Sequence, residues 1–162
     1  TLIPMVKEQL DIPLIAAGGI ATGRGMLAAM VLGADGVQVG SRFVASNEAS
    51  SHQAFKQMVV DAKEGDTHLT LKELAPVRML KNKFFESVIQ LYTTNPTKED
   101  LIKHLGRARA KRGMFEGDLE DGELEIGQIA GLIHDIKPAA QILKDILEEF
   151  EIAKKEVSLI RI

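Results

Sequence analysis

Two short apolar runs that end in glycine constrain the fold of this chain most strongly. The runs Asp11–Gly19 (DIPLIAAGG) and Asp35–Gly40 (DGVQVG) read as strands, and residues 23–32, rich in Ala, Leu and Met, read as the helix between them. A strand, a helix and a strand at this spacing form a βαβ unit, which implies a parallel sheet. The chain is therefore predicted to be an α/β protein.

The glycines at the two strand ends predict a phosphate site. Because glycine has no Cβ, the backbone N–H groups at Gly18, Gly19 and Gly40 can approach an anion closely, and the start of a following helix adds a favourable dipole. Two such loops on neighbouring parallel strands form one shared cradle, as they do after strands seven and eight of a (β/α)8 barrel. Glycines that serve only tight turns are the alternative, but two loops one βα unit apart favour phosphate.

Composition excludes several classes of function. A chain of 162 residues with 45% hydrophobic and 27% charged residues can bury the core of one domain. A net charge of −3, 4% aromatic residues and no membrane-length apolar run argue against nucleic acid and membrane as partners. The absence of cysteine excludes disulfides, thiol catalysis and zinc–cysteine sites, and makes a reducing cytoplasm the expected location.

The rest of the chain is predicted to be mostly helical. Helical spacing indicates helices over 51–64, 79–92, 98–112 and 126–134, and a last helix from Pro138 to about Glu156. Residues 67–75 alternate in polarity but have no evident partner strand. The residues expected on the buried stripe of the last helix are Ala139, Leu143, Ile146, Leu147 and Phe150. Those expected in the core upstream are Met79, Phe84, Phe85, Ile89 and Leu91.

Histidines and charged runs receive structural interpretations. His52, His68, His104 and His134 lack metal-ligand spacing, so they are expected to be surface or capping residues and no metal is assigned. The basic run Arg107, Arg109, Lys111 and Arg112 is expected to be a solvated helix surface, with a contact for an acidic carrier protein or a phosphopantetheine phosphate as the alternative. The acidic run 116–125 departs from the EF-hand template, since Asp121 stands where the turn glycine belongs.

The tract AAGGIATGRGMLAAMVLGADGVQVGSRF resembles the last two βα units of an FMN-dependent barrel family. That family contains the nitronate monooxygenases and the FMN-dependent enoyl-acyl-carrier-protein reductases. The resemblance continues at APVRMLKNKF, at RGMFEGDLEDGELEIGQIAGLI and in the closing helix, so it covers essentially the whole chain. A weaker similarity links the GGI loop to barrels of the inosine-monophosphate dehydrogenase type, which depend on a reactive Cys that this chain lacks.

The resemblance implies the C-terminal part of a (β/α)8 TIM barrel followed by a small, mostly helical domain. Residues 1–50 would supply the last βα units, residues 51–136 a helical cap domain, and residues 137–162 a C-terminal helix that returns to the barrel. The chain begins at Thr1 without an initiator methionine, so we expect it to be a piece of a longer protein. A half-barrel leaves strand edges unpaired and a core face open, so such a piece is expected to need its upstream half or a second copy to be well behaved. A homodimer is therefore an expected assembly.

The resemblance also implies FMN as the cofactor, with its phosphate on two loops. The residues assigned to the phosphate are Gly18, Gly19, Gln38, Val39, Gly40 and Ser41. Ser41 stands where Thr is more usual and keeps the same hydrogen-bonding capacity. Gln128 is assigned to the substrate side of the flavin. The family's catalytic His lies upstream of this chain, so no catalytic residue is assigned.

The implied function of the intact protein is that of an FMN-dependent oxidoreductase of the nitronate monooxygenase type. In that reaction an alkyl nitronate and O2 give a carbonyl compound and nitrite. One alternative is the reduction of an enoyl thioester by NAD(P)H in fatty acid synthesis, and another is a non-catalytic fragment or interaction domain. The expected substrate is a small molecule, either a nitronate or an enoyl thioester, and the piece alone is expected to be inactive.

Overall fold

The structure is a computed structural model that describes residues 1–160. In chain order its elements are α1 (Leu2–Lys7), β1 (Ile15–Ala17), α2 (Gly23–Val31), β2 (Gly36–Gln38), α3 (Ser41–Val44), α4 (Gln53–Asp61), β3 (Thr67–Thr70), β4 (Val77–Leu80), α5 (Lys83–Tyr92), α6 (Lys98–Leu105), α7 (Arg109–Met114), the 3-10 helix η1 (Gln128–Leu132) and α8 (Ala139–Ser158). None of these helices is long and apolar enough to cross a membrane.

The βαβ unit predicted from the glycine-terminated runs is present. Strand β1 pairs in parallel with β2 in a register that joins Ile15 to Gly36 and Ala17 to Gln38. Helix α2 makes the crossover and begins at Thr22, whose side chain accepts the Gly25 N–H at 3.0 Å. Within the described residues this sheet has two strands, so the chain forms an α/β fragment in which the barrel is not closed.

Helix α8 covers α2, and Gly23 sets how closely they pack. A Cβ on Gly23 would collide with the backbone of Ile146 and Phe150, so only glycine allows this contact. The Gly23 N–H donates to Glu149 Oε2 at 2.8 Å, which caps α2 from the other helix. These two contacts therefore determine which face of α8 packs against α2.

The face of α8 that is buried differs from the one that the sequence predicted. Ile146 is buried as expected, together with Ile142 and Ala153. Leu143 and Leu147 are 52% and 48% exposed, so their assignment to the buried face was wrong. Ala139 and Phe150 are half-buried. The apolar spacing of α8 identified the helix, but its buried face is turned about one residue from the predicted one.

An antiparallel hairpin replaces the first part of the helix predicted over 79–92. Strand β3 pairs with β4 from Thr67–Leu80 to Thr70–Val77, which supplies the partner that the alternating residues lacked. Helix α5 begins only after Asn82, whose side chain accepts the Phe85 N–H at 2.9 Å and so caps the helix.

Other expectations were partly right. Met79, Phe84 and Phe85 are buried as predicted, Leu91 is partly buried, and Ile89 is 40% exposed, so its place in the core was wrong. The helix predicted over 98–112 is broken at Gly106, whose φ of +67° ends α6 before α7 begins. The segment predicted as a helix over 126–134 is the shorter η1.

The core consists of three clusters. The largest is centred on Ala45, Phe55, Val59, Leu124 and Ile133; a second, around the hairpin, contains Met79, Phe84, Val88 and Leu101; a third, inside the βαβ unit, contains Ala16, Ile20, Ala29 and Ala34. Several apolar side chains of the βαβ region lie at the surface, namely Leu2, Met5, Ile12, Ile15 and Val31. The division into residues 1–50, 51–136 and 137–162 stays a prediction.

Candidate functional site

A pocket of about 270 Å³ opens where β1 and β2 end. Both strands point their carboxyl ends at it, because parallel strands end on the same edge of a sheet. All six residues predicted to hold a phosphate line this pocket. The full lining is Ala17, Gly18, Gly19, Ile20, Gln38, Val39, Gly40, Ser41, Gly127 and Ile129.

The first loop is built from two glycines in left-handed conformations. Gly18 has a φ of +90° and Gly19 a φ of +69°, a region that favours glycine. A Cβ built on either residue meets no atom within 4 Å, so the space beside this backbone is open. The loop therefore presents main chain, and no side chain of its own, to the pocket.

The second loop turns from β2 directly into α3. Gly40 precedes the helix with a φ of −108°, and a Cβ on it would also meet nothing within 4 Å. The Gly40 carbonyl accepts the N–H groups of Phe43 and Val44, at 2.9 and 3.3 Å, while the first N–H groups of the helix have no intrahelical acceptor. This loop also offers backbone donors beside an open space.

Ser41 is the polar side chain that links the pocket to the distant segment after Ile126. Its Oγ accepts the Gly127 N–H at 3.1 Å. A hydroxyl has one donor and two acceptor sites, so the Ser41 O–H remains free to donate to a ligand oxygen.

Among residues 1–160, no Lys, Arg or His lines the pocket. Arg42 follows Ser41 directly, but it is buried on the other side of the turn, where it donates to the Asp135 carbonyl at 3.0 Å and forms an ion pair with the Asp135 carboxylate. Burial pushes the pKa of Asp135 upward, but Lys137 and Arg42 together hold it below its ordinary value. What the described part of the chain offers an anion here is therefore backbone N–H groups and a hydroxyl, and no cationic side chain.

Gln128 does not line this pocket. It is exposed, and its neighbours Gly127 and Ile129 line the pocket instead. The resemblance singles out the segment 127–131 for the substrate side of the flavin, but Gln128 is the residue chosen from it, and Gly127 and Ile129 are not assigned. The assignment of Gln128 to the substrate side stays a prediction.

The charged runs are used mostly within the chain. Lys111 pairs with Glu116 at 2.8 Å, and Arg112 pairs with Asp118. Arg109 donates to the carbonyls of Leu105, His104 and Asp121 at 2.7, 3.2 and 2.8 Å, and its guanidinium lies 4.4 Å from the centre of the Phe84 ring. Arg109 and Arg112 thus stabilise their own turn, while the Lys111 side chain is 67% exposed, and the contact for an acidic carrier protein or a phosphopantetheine phosphate stays a prediction.

The histidines behave in two ways. His52 caps α4, as predicted, by accepting the Ala54 N–H at 3.2 Å. His104 differs from the expectation, because it is half-buried, stacks on Phe84 with ring centres 5.9 Å apart, and lies 2.8 Å from Ser87 Oγ through Nε2. Within residues 1–160 no three His, Asp or Glu side chains are arranged to hold a metal ion, and the absence of a metal stays a prediction.

Comparison of the sequence with known proteins identifies its relatives. The sequence profile described as nitronate monooxygenase matches residues 1–149. A probable nitronate monooxygenase of Staphylococcus saprophyticus is 32% identical over 156 residues, which are 96% of this chain and 44% of that protein. The chain thus spans less than half the length of this curated relative.

Two solved structures share the fold of this chain. FabK from Thermotoga maritima superposes with a TM-score of 0.88 at 42% identity, over 98% of this chain and 50% of that one. The nitroalkane oxidase from Streptomyces ansochromogenes superposes with a TM-score of 0.74 at 30% identity, over 96% of this chain and 44% of that one. With a family profile over nearly its whole length and the predicted residues gathered at one pocket, the chain belongs to the nitronate monooxygenase family.

Proposed function

We propose that this chain forms the FMN-phosphate site of a flavin-dependent oxidoreductase. The observation that carries the proposal is the single pocket lined by Gly18, Gly19, Gln38, Val39, Gly40 and Ser41, with open space beside all three glycines. Membership of a flavin oxidoreductase family supports the same conclusion.

The residues present fit a phosphate group. The pocket, of about 270 Å³, is slightly smaller than the roughly 300–1,000 Å³ of sites that enclose whole ligands, which suits one end of a cofactor. The backbone of Gly18, Gly19 and Gly40 would surround the phosphate, and the Ser41 hydroxyl would donate to it. A Cβ at any of the three glycines would meet no atom of residues 1–160 within 4 Å, so larger side chains there would have room to extend beside the backbone that would contact the phosphate.

The bound flavin would supply the redox chemistry, and this chain would anchor and orient it. The two loops would hold the phosphate end of the cofactor and so would limit how far the whole cofactor can shift. Burial of Arg42 against Asp135 holds the start of α3 and, with it, Ser41.

For the intact protein, the first candidate reaction is oxidation of an alkyl nitronate by O2 to a carbonyl compound and nitrite. The matching family profile and the curated relatives carry this name. The nitronate would be a small anion that has already lost the α-proton of its parent nitroalkane, and the groups that contact it would lie outside the residues assigned to the phosphate.

The second candidate reaction is reduction of an enoyl thioester by NAD(P)H. A specific observation favours it: the chain is 42% identical to FabK, an enoyl reductase, but 30% identical to the solved nitroalkane oxidase. Oxygen uptake with a nitronate, measured beside NADH consumption with a crotonyl thioester, separates the two reactions in the complete gene product.

Equilibrium dialysis with FMN and with riboflavin tests the phosphate site. Riboflavin lacks the phosphate, so we expect FMN to bind more tightly, and we expect Gly40→Val to weaken FMN by at least about tenfold, or 1.4 kcal/mol. Gly40 suits this test because its negative φ is open to other residues, unlike the positive φ of Gly18 and Gly19. Ser46→Ala is the control, since Ser46 is buried outside the pocket.

Equal affinity for FMN and riboflavin would contradict the phosphate site. A complete, folded gene product that binds neither flavin would refute the proposed function and support a non-catalytic role.

A further inference from the structure

Ser41 and Gly127 form a contact that joins the pocket to the second half of the chain. They are 86 residues apart in sequence, and the Gly127 N–H donates to Ser41 Oγ at 3.1 Å. A Cβ built on Gly127 would lie 2.7 Å from the same oxygen, which is inside contact distance. The absence of a side chain at residue 127 therefore permits the hydrogen bond.

The residues around Gly127 are bonded through their backbone to strand β4 and to η1. The Ile126 N–H donates to the Arg78 carbonyl of β4 at 3.1 Å. On the other side, the Gly127 carbonyl accepts the Ala130 N–H at 3.0 Å inside η1, and Ala130 is fully buried. A shift of Ser41 would thus reach the hairpin and η1 through the covalent backbone of residues 126 and 127, whose neighbouring N–H and C=O groups make these bonds.

We propose that Ser41 couples phosphate binding to the docking of residues 127–132, a role that rests on the proposed function. The hydroxyl accepts from Gly127 and keeps its own proton to donate to a phosphate oxygen. Donation to an anion polarises the hydroxyl oxygen and strengthens the bond that it accepts, because hydrogen bonds in series reinforce one another. Ser41 is thus a positioning residue: phosphate on one side of its hydroxyl tightens the segment on the other.

Amide hydrogen exchange at Gly127 in the complete gene product tests the coupling without any turnover. Saturating FMN should slow exchange of this amide roughly two- to tenfold more than saturating riboflavin does, the range expected for one hydrogen bond. Ser41→Ala should abolish the difference, and Ser41→Thr should retain it. Ser46→Ala is a matched control, because Ser46 Oγ also accepts a backbone N–H, that of Ala49 at 3.2 Å, but outside the pocket.

A second variant keeps the proposal testable if Ser41→Ala alters the loop. Gly127→Ala places a methyl group against Ser41 Oγ, so it should weaken FMN binding roughly two- to tenfold and leave riboflavin binding unchanged. In a Ser41→Ala background the opposing oxygen is gone, so adding Gly127→Ala should cost less than it does in the wild type.

The outcomes separate the coupling from the function beneath it. If the wild-type protein binds no FMN, the proposed function is refuted and the coupling with it. If FMN binds but the Ser41→Ala protein keeps the extra protection at Gly127, the coupling alone is refuted. Strictly additive effects of the two substitutions on FMN binding would also overturn it.

Discussion

Gly23→Ala is the substitution whose cost the structure defines best. In most helices this change stabilises by up to about 1 kcal/mol, because alanine restricts the unfolded chain. Here the new Cβ would lie 2.8 Å from the carbonyl carbon of Glu149 and would collide with the backbone of Ile146 and Phe150. Optimal carbon–carbon contacts are roughly 3.5–4.0 Å, so α8 must move away by a large part of an ångström.

The expected loss follows from that movement. Overpacking of this kind costs about 1–3 kcal/mol, and a weakened bond between the Gly23 N–H and the Glu149 carboxylate adds on the order of 1–2 kcal/mol. Set against the helix propensity of alanine, we expect the free energy of unfolding to fall by about 1–4 kcal/mol.

Gly25→Ala in the same helix is the matched control. Its Cβ would lie 3.2 Å from Thr22 Oγ1 and 3.9 Å from an Ile20 methyl, contacts that a small side-chain adjustment relieves. We expect its stability to lie within about 1 kcal/mol of wild type. Urea unfolding followed by circular dichroism compares the two variants in the complete gene product. Equal stabilities of Gly23→Ala and Gly25→Ala would refute the reasoning.

Three further predictions concern charge. Burial and the nearby charge of Glu125 raise the pKa of Glu123 from 4.5 to about 7, so between these pH values the folded state keeps a proton that the unfolded chain releases, and the free energy of unfolding should fall as the pH rises. At pH 8 the Glu123→Gln protein should be more stable than wild type by on the order of 2–3 kcal/mol. Parallel curves of stability against pH for the two proteins would contradict this. Arg42→Met should destabilise by about 1–2 kcal/mol, because it removes the bond to the Asp135 carbonyl while the half-exposed Asp135 carboxylate keeps Lys137 at 2.9 Å; in urea unfolding, Asp135→Asn should cost less in the Arg42→Met background than in the wild type. Since none of the pocket-lining residues within 1–160 is cationic, the Kd for FMN should change less than about twofold between roughly 0.05 and 0.5 M KCl, and a steep salt dependence in dialysis would point to Lys or Arg at the phosphate.

The βαβ unit and its glycine loops could be predicted because their signals are local. Alternating strand and helix composition fixed the order of β1, α2 and β2, and glycine is the residue that positive φ at Gly18 and Gly19 favours. Parallel pairing of β1 and β2 then brings the two loops to the same edge of the sheet, and no contact between distant residues is needed to predict this.

The hairpin was missed because its residues also fit a helix. Met79, Leu80, Phe84 and Phe85 have helical spacing, and each strand has four residues, too few for a clear alternation. Asn82 was the available signal, since a capping residue in the middle of a predicted helix marks its true start.

The remaining errors depend on contacts between distant residues. The buried face of α8 is set by the contact with Gly23, so the apolar pattern of the helix alone could not select between neighbouring stripes. Gly127 likewise reaches the pocket through Ser41, across 86 residues of sequence. Local patterns identify elements, whereas such partners require the folded chain.

The packing of α8 on α2 also sets an order of events during synthesis. The bond from Gly23 to Glu149 closes over 126 residues. At roughly 5–20 residues per second, the ribosome takes on the order of 10 s to supply the cover for α2 after α2 itself has emerged. The cluster of Met79, Phe84, Val88 and Leu101 closes over a much shorter stretch, so it can form within that interval. The nascent βαβ unit therefore waits longer for its covering helix than the hairpin cluster waits for its own partners.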